Sequence, residues 1–225
     1  MTQGPSKIIL PRAPMPIKRA NPKRLVLYGP PKVGKTSFCA KLPNNLIIDF
    51  EEGAESTEGG MYVSVHNFVE LGAVGKEIME EKAQGLSYDY VTIDTITTLE
   101  EWCEWDATRM YMDSVVGKGF NRVEQGPRQG QEKPRGEWDS VLTLPNGAGY
   151  FWLRTCYSKW IDRLALLAPT IILIAHLKDK LLTKLGREVS AQDIDLTGKI
   201  KAITSAKADA IGYLYRAGDE GEQLR

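Results

Sequence analysis

Residues 29–36 have the sequence GPPKVGKT, with glycine at the first and sixth positions and Lys-Thr directly after the second glycine. The apolar run at residues 25–28 predicts a buried strand before this stretch, and residues 35–42 predict a helix after it. This spacing and context are those of the phosphate-binding P-loop. Glycine lets backbone N–H groups turn inward around phosphates, and the start of the helix adds a favourable dipole. The predicted nucleotide-binding residues are Gly29, Pro30, Pro31, Lys32, Val33, Gly34, Lys35, Thr36 and Ser37.

A P-loop needs a cation for the terminal phosphates and oxygen ligands for Mg²⁺. Lys35 is expected to reach the β- and γ-phosphates, and the Thr36 hydroxyl is expected to bind Mg²⁺. Asp94 follows the apolar residues 90–93, which predict another buried strand. We expect that strand to neighbour the P-loop strand, which makes Asp94 the second magnesium ligand. An aspartate that caps the following helix would occupy the same position. Lys32 and Ser37 have a second explanation as ordinary loop and helix-surface residues.

Hydrolysis also needs a group that orients the attacking water. Glu51 and Glu52 follow a predicted strand that begins at residue 46, and they approach the γ-phosphate if that strand neighbours the P-loop strand. We prefer Glu51 to Glu52, and a solvated acidic loop is the alternative. His176 follows the apolar residues 170–175, at the sheet edge where α/β folds bind ligands. It is a candidate γ-phosphate sensor, although a lone histidine is more often structural. The predicted catalytic residues are Lys35, Glu51 and His176.

Buried strands alternate with helices along the chain, which predicts an α/β fold with a mostly parallel sheet flanked by helices. Residues 113–149 lack periodicity, and loops of that length are usually functional or disordered. The remaining predicted elements are a strand at 61–65, a helix at 67–84 capped by Asn67 and Glu70, a helix capped by Thr97 and Glu100, helices at 150–167 and 198–208, a hairpin around Gly186, and a strand at 211–215.

Composition narrows the functional classes. The 29 basic and 29 acidic side chains cancel, so net charge indicates no particular partner. Cys39, Cys103 and Cys156 are far apart and odd in number, which favours a reducing compartment over a disulfide framework. No apolar run approaches the ~18 residues that a membrane-spanning helix needs. We therefore expect a soluble, cytoplasmic protein without membrane contact.

The chain is expected to divide into an arm at residues 1–23 and a core at residues 24–225. The arm is basic, contains no acidic residue and is rich in proline, which denies it a helix. It is expected either to extend into solvent or to reach a neighbouring subunit or nucleic acid. Residues 222–225 resemble the opening of a strand, so we expect the last hairpin of the core to be incomplete or frayed.

Four stretches together resemble the core of RecA-like ATPases: residues 28–36, 48–51, 91–94 and 174–176. With residues 195–199 and Asp209, the chain is most similar to phage-encoded ATPases of the Sak type, which are implicated in single-strand annealing and recombination. The resemblance covers about residues 24–216. It implies ATP and Mg²⁺ as cofactors, single-stranded DNA as partner, and a homo-oligomer in the form of a ring or filament. It also implies a single-strand DNA-binding protein as a further partner, and the host cytoplasm as the location.

Residue by residue, the resemblance implies Lys35 and Thr36 on phosphate and magnesium, Asp94 on magnesium and Glu51 on water. His176 stands where RecA-like proteins commonly carry glutamine. DNA in such proteins contacts the loops after the magnesium strand and after the sensor strand, here residues 113–149 and 177–197. The first loop has five basic and five acidic residues, and this count predicts no electrostatic preference.

The second loop supplies the candidates for contacting DNA, or a neighbour's γ-phosphate in trans: Lys178, Lys180, Lys184 and Arg187. Two other classes of function remain open at this point. One is a P-loop kinase that phosphorylates a small acceptor, for which residues 113–149 would serve as a lid. The other is an ATPase that acts on a protein partner.

Overall fold

A computed structural model describes residues 21–184, 187–217 and 223–224. Its strands, in chain order, are β1 (Arg24–Tyr28), β2 (Asn45–Asp49), β3 (Met61–Ser64), β4 (Tyr90–Asp94), β5 (Thr170–Ala175), β6 (Leu177–Lys184), β7 (Arg187–Ile194), β8 (Ala210–Tyr213), β9 (Arg216–Ala217) and β10 (Gln223–Leu224). Six of them form one sheet in the order β3-β2-β4-β5-β1-β8. Every pairing within this sheet is parallel.

Burial explains why the strands have near-continuous apolar sequences. Every residue of β2 and of β5 is buried, as expected for a parallel sheet covered on both faces. The predicted α/β class with a parallel sheet is therefore confirmed. β6 and β7 form a separate antiparallel hairpin, also as predicted. Its turn at Gly186 lies outside the described residues.

The helices are α1 (Lys35–Ala40), α2 (Phe68–Ala83), α3 (Ile96–Asp113), α4 (Gly149–Leu164) and α5 (Gly198–Lys207). Alternate strand residues point into two separate cores. Val26, Ile93 and Ile171 belong to the larger core, which contains residues of α2, α3, α4 and α5. Leu27 and Ile172 belong to a smaller core with Cys39 of α1. The six-residue α1 thus serves one face of the sheet, and the other four helices pack on the opposite face.

One of the two predicted helix caps is correct. The Asn67 side chain accepts hydrogen bonds from the backbone N–H groups of Val69 and Glu70, both at 3.0 Å, which confirms the start of α2. The predicted cap of α3 at Thr97 and Glu100 is wrong. The chain turns directly from β4 into α3, and Thr95 is the N-cap.

The stretch predicted to lack periodicity, residues 113–149, is an irregular segment between the end of α3 and the start of α4, and it is held by specific contacts. Its short 3₁₀ turns are Arg135–Glu137, Val141–Thr143 and Pro145–Gly147. Asn121 is buried, and its amide donates to the carbonyl oxygen of Asp139 at 2.9 Å and accepts from the N–H of Asp139 at 2.7 Å. Phe120 is half-buried against Tyr111, with the ring centroids 5.2 Å apart. The Asn121 bonds hold two parts of the segment together, and the Phe120 contact ties the segment to the end of α3.

The structure describes only part of each end of the chain. Residues 1–20 of the predicted arm, and residues 218–222 and 225 of the predicted last hairpin, lie outside the described residues. β9 and β10 pair as a two-residue antiparallel ladder, so a last hairpin forms after β8. Within the described residues, no helix is both long enough and apolar enough to cross a membrane.

Candidate active site

The P-loop connects β1 to α1 at the carboxyl edge of the sheet. Gly34 has φ 100°, a conformation that glycine adopts without strain, and it directly precedes α1. A Cβ atom added to Gly29 would lie 2.3 Å from the carbonyl oxygen of Leu214, so only glycine fits there. These two glycines explain the fixed positions of the motif in this chain.

Lys35 lies inside the turn of the P-loop. Only 7% of the residue is exposed, and its ammonium group donates to the carbonyl oxygens of Gly29 at 2.9 Å and Pro30 at 3.0 Å. Burial lowers its pKa, and the nearby carboxylates of Asp94 and Glu51 oppose that shift. The loop therefore surrounds a buried cation at the position where the terminal phosphates would bind.

Thr36 and Asp94 meet beside this cation. The Thr36 hydroxyl donates to Asp94 Oδ2 at 2.6 Å. Burial raises the pKa of Asp94 to about 6, although the bond from Thr36 opposes this shift. A buried carboxylate next to a hydroxyl fits Mg²⁺, a hard cation that takes oxygen ligands. The expected strand neighbourhood is wrong, because β5 lies between β4 and β1. Asp94 reaches the P-loop across that intervening strand.

Glu51 follows β2 by two residues, and β2 is not a neighbour of β1, so the condition under which Glu51 was predicted to approach the γ-phosphate is not met directly. Its carboxylate Oε1 accepts hydrogen bonds from the hydroxyls of Thr95 at 2.8 Å and Thr98 at 2.6 Å. His176 Nε2 lies 3.0 and 3.2 Å from its two oxygens. The bond with His176 is the main cause that lowers the pKa of Glu51 to about 2, and the same bond raises the pKa of His176. Glu51 is therefore an ionised, firmly positioned acceptor.

Asp49 holds the turn that carries Glu51. This side chain is buried, and it accepts hydrogen bonds from the backbone N–H groups of Glu51 at 2.9 Å and Ala54 at 2.7 Å. Glu52 points away from this arrangement. Its carboxylate is exposed and lies 2.9 Å from Nε2 of His66. The two glutamates that sequence alone left open thus lie in different surroundings, and only Glu51 faces His176.

These groups line one cleft of about 500 Å³. Four of the residues that line the cleft had no role predicted from the sequence: Asp49, Gly53, Thr57 and Thr95. Thr95 follows Asp94 directly, so its position beside the site was available from the sequence, but its bond to Glu51 depends on how β2 and β4 pair. Lys35, Thr36, Asp94, Glu51 and His176 all meet here, whereas Pro30 takes part only through its carbonyl group.

Comparison with known families agrees with this geometry. A family model described as an AAA domain matches residues 21–223, which is most of the chain. The chain belongs to the AAA domain family. A search of curated proteins finds no match. Family and fold together show an AAA-type P-loop ATPase domain with a nucleotide-binding site.

The remaining candidates of this AAA domain lie in the β6–β7 hairpin. The Lys178 ammonium donates to Asp195 Oδ1 at 3.1 Å and to the carbonyl oxygen of Leu196 at 2.7 Å. Lys178 thus closes the root of the hairpin and is already engaged within its own chain. The backbone register pairs Lys184 with Arg187. The side chains of Lys180, Lys184 and Arg187 lie outside the described part of the structure.

A threonine links the cleft to this hairpin. Thr97, in the first turn of α3, accepts a hydrogen bond from the backbone N–H of His176 at 3.2 Å. Its hydroxyl donates to the carbonyl oxygen of Asp195, also at 3.2 Å. The residue that faces Glu51 is therefore tied, through one side chain, to the segment that leaves the hairpin.

Proposed function

We propose that this ATPase domain hydrolyses ATP with Mg²⁺ in the P-loop cleft and acts on single-stranded DNA. The observation that carries the ATPase part is the convergence of Lys35, the Thr36–Asp94 pair and the Glu51–His176 pair on one cleft. P-loop hydrolysis depends on positioning and electrostatic stabilisation, and these groups supply both.

Each residue has a distinct part in the proposed mechanism. Lys35 leaves the carbonyl groups it now contacts and binds the β- and γ-phosphate oxygens. Thr36 and Asp94 hold Mg²⁺, which supplies charge neutralisation at the phosphates when bound. Glu51 orients the attacking water by accepting its hydrogen bond. Because the pKa of Glu51 is held at about 2, it acts as an ionised acceptor rather than a strong base.

His176 is proposed to sense the γ-phosphate. Its ring bonds to Glu51, and its backbone N–H bonds to Thr97. The hairpin strand β6 begins at the next residue, Leu177. A water that donates to Glu51, or a γ-phosphate that accepts a hydrogen bond from His176, changes the partner of His176. Such a change passes directly to the hairpin along the main chain and through Thr97.

The case for single-stranded DNA rests on the resemblance and on the cations of the β6–β7 hairpin. β6 contains Lys180 and Lys184, and β7 begins at Arg187, which pairs with Lys184 in the backbone register. Lysine and arginine are the residues that bind nucleic-acid phosphates, so we propose that these three residues contact the DNA backbone, although the whole segment is balanced in charge.

The role in phage recombination or annealing rests on the resemblance to Sak-type ATPases, and so does the homo-oligomer. We infer a head-to-tail assembly, ring or filament, in which the arm of residues 1–23 reaches the neighbouring subunit. A single-strand DNA-binding protein is the further partner. Light scattering on the full chain and on a chain that starts at Pro22, with ATP and DNA, tests this assembly.

The function is tested by measuring ATP turnover with and without single-stranded DNA. We expect stimulation by DNA in the native protein. A variant with Lys180, Lys184 and Arg187 all changed to alanine should keep its DNA-free rate and lose the stimulation. DNA that neither binds nor stimulates at any salt concentration contradicts the DNA proposal. Phosphate transfer to a small acceptor would then favour the kinase, and stimulation by a protein would favour the protein-directed ATPase.

A further inference from the structure

The segment that leaves β8 runs along the P-loop. The backbone N–H of Leu214 donates to the carbonyl oxygen of Tyr28 at 2.8 Å, and the Leu214 carbonyl occupies the space beside Gly29. Two residues later, the Arg216 guanidinium donates to the carbonyl oxygen of Lys32 at 3.1 Å. Residues 214–216 therefore border the P-loop on the β8 side of β1.

The strand order predicts how a bound nucleotide is oriented across the edge of the sheet. β5 and β4 lie on one side of β1 and carry His176 and Asp94 at their ends, while β8 lies on the other side. If the proposed function holds, the γ-phosphate lies toward Asp94 and Glu51. The phosphate chain follows the P-loop, so the nucleoside end extends away from those carboxylates. Residues 214–216 lie on that side.

Tyr215 is an exposed aromatic side chain in this position. It is 43% exposed, and its ring stacks on Tyr213 with centroids 5.6 Å apart and planes 16° apart. Tyr213 in turn contacts the ring of Tyr28, with centroids 5.1 Å apart. The three rings form a contiguous row that begins at Tyr28, the last residue before the P-loop; Tyr213 and Tyr215 are stacked, and Tyr28 is tilted by 40° against Tyr213. Stacking fixes the ring orientation before any ligand binds, which lowers the entropy cost of binding.

We propose that Tyr215 stacks on the base of the bound nucleoside triphosphate and that Arg216 is a positioning residue. Arg216 acts through its bond to Lys32, which keeps the segment against the P-loop. Ten of the thirteen described residues that line the cleft have polar or charged side chains, which suit phosphates rather than the faces of a base. A stacked ring recognises the π-face that every base has, so this contact contributes affinity more than choice of base.

The test compares a ligand that has a base with ligands that lack one. Dissociation constants are measured for ATP, ribose 5-triphosphate and inorganic tripolyphosphate. Tyr215→Ala should weaken ATP binding about 10-fold, within the range for loss of one base–aromatic stack, and should leave the other two within about 2-fold. Tyr215→Phe keeps the ring and should bind ATP like the native protein. Arg216→Ala should weaken ATP binding several-fold with the same selectivity.

Phe38 provides the matched control, because it is an aromatic residue of α1 with 42% exposure. Phe38→Ala should leave all three affinities unchanged, and a selective loss of ATP binding there instead overturns the proposal. Equal losses for all three ligands in Tyr215→Ala, or no loss, overturn it as well. Lys35→Ala should weaken all three ligands. If Lys35→Ala and the native protein bind tripolyphosphate equally well, the assignment of the phosphate site is wrong. That result would contradict the proposed function and not the role of Tyr215 alone.

A second measurement uses only the native chain. Irradiation with 8-azidoadenosine triphosphate attaches the base to nearby side chains, and peptide mass spectrometry locates the label. We expect the label on the peptide that contains Tyr215, with protection by excess ATP. Label confined to α1 contradicts the proposal.

Discussion

The phosphate cleft lies at the carboxyl edge of the sheet, and the β6–β7 hairpin extends from the same edge. The two regions differ in how far their charged side chains are buried. In the cleft, Lys35 and Asp94 are each 7% exposed and hydrogen bonded. At the hairpin root, the ion pair of Lys178 and Asp195 has side chains that are 39% and 43% exposed. A buried charge is costly without its partner, whereas an exposed pair contributes little. A single substitution in the cleft should therefore abolish ATP hydrolysis. Substitutions in the hairpin should each have a small effect on DNA binding, and these effects should be additive.

The largest effect is expected at Lys35. Lys35→Ala removes the buried cation of the P-loop, so ATP turnover should fall by ~10³-fold, the upper range for losing one preorganised donor. Lys41→Ala is the matched control, since Lys41 is an exposed residue at the end of α1 and does not line the cleft. It should stay within a few-fold of the native rate. Native turnover in Lys35→Ala, in a steady-state phosphate-release assay, would remove the basis for the cleft as the active site.

Glu51→Gln is expected to have the next largest effect. The amide keeps the size of the side chain but cannot accept the hydrogen bonds of Thr95, Thr98 and a water together, so kcat should fall ~10²-fold with little change in ATP affinity. Glu52→Gln is the control, because Glu52 contacts His66 outside the cleft. If both variants keep the native kcat, water orientation belongs to another residue. A slower Glu52→Gln with a normal Glu51→Gln would reverse the assignment.

Asp94 yields a prediction about stability and pH. Burial raises its pKa to about 6 in the folded, nucleotide-free protein, against about 3.9 for an unfolded chain. The folded state therefore binds this proton more tightly, so stability is lost as pH rises from 4 through 6. Asp94→Asn removes this penalty, so its free energy of unfolding should exceed the native value by about 3 kcal/mol at pH 7.5 and match it near pH 4.

Denaturant titrations without ATP and Mg²⁺ at the two pH values measure this difference. Asp113→Asn is the control, since Asp113 is an exposed residue at the end of α3. A gain at Asp94→Asn that is the same at both pH values would show that ionisation is not its cause.

Features encoded in contiguous sequence could be predicted, whereas features that depend on long-range strand pairing could not. The P-loop, Thr36 and Asp94 were predictable because the motif and the apolar runs beside it are contiguous. The strand order was not, because periodicity shows that a strand exists but not which strand it pairs with. The expectation that β4 neighbours β1 is wrong for this reason, and β2 does not neighbour β1 either.

The same limit applies to single side chains. Glu51 was recognised as a candidate from its place after a strand, but its partners Thr95 and Thr98 lie 44 and 47 residues away. Thr97 and Glu100 have the spacing of a cap, yet Thr97 bonds His176 and Asp195, and the buried Glu100 accepts hydrogen bonds from Thr197. Both residues therefore make tertiary contacts instead of the helix cap that their spacing predicts.

The hairpin should show small and additive effects. Each of Lys180→Ala, Lys184→Ala and Arg187→Ala should lower single-stranded DNA affinity a few-fold and reduce the slope of log K against log salt by ~0.7. The triple variant should lose ~2 from that slope. Lys76→Ala, on α2, is the control and should change neither value. If one single variant loses as much DNA affinity as the triple variant, that residue is a single dominant contact. This result would contradict the expected additivity in the hairpin.

The smallest effect is expected at Thr97, where the cleft and the hairpin meet. Thr97→Val keeps the shape of the side chain and removes the hydroxyl that joins the His176 N–H to the Asp195 carbonyl. Neither bond touches Lys35, Asp94 or Glu51, so DNA-free turnover should stay within about 2-fold of native, as for a mutation outside the reacting groups. DNA affinity should also persist, because no cation is lost. The stimulation of turnover by DNA should fall about 3-fold, since a coupling of this kind is typically worth 1–3 kcal/mol and the main-chain route remains. Thr155→Val, whose hydroxyl only returns to the Phe151 carbonyl of its own helix, controls for the substitution itself. Full stimulation in Thr97→Val would mean that cleft and hairpin communicate through residues 176–177 alone.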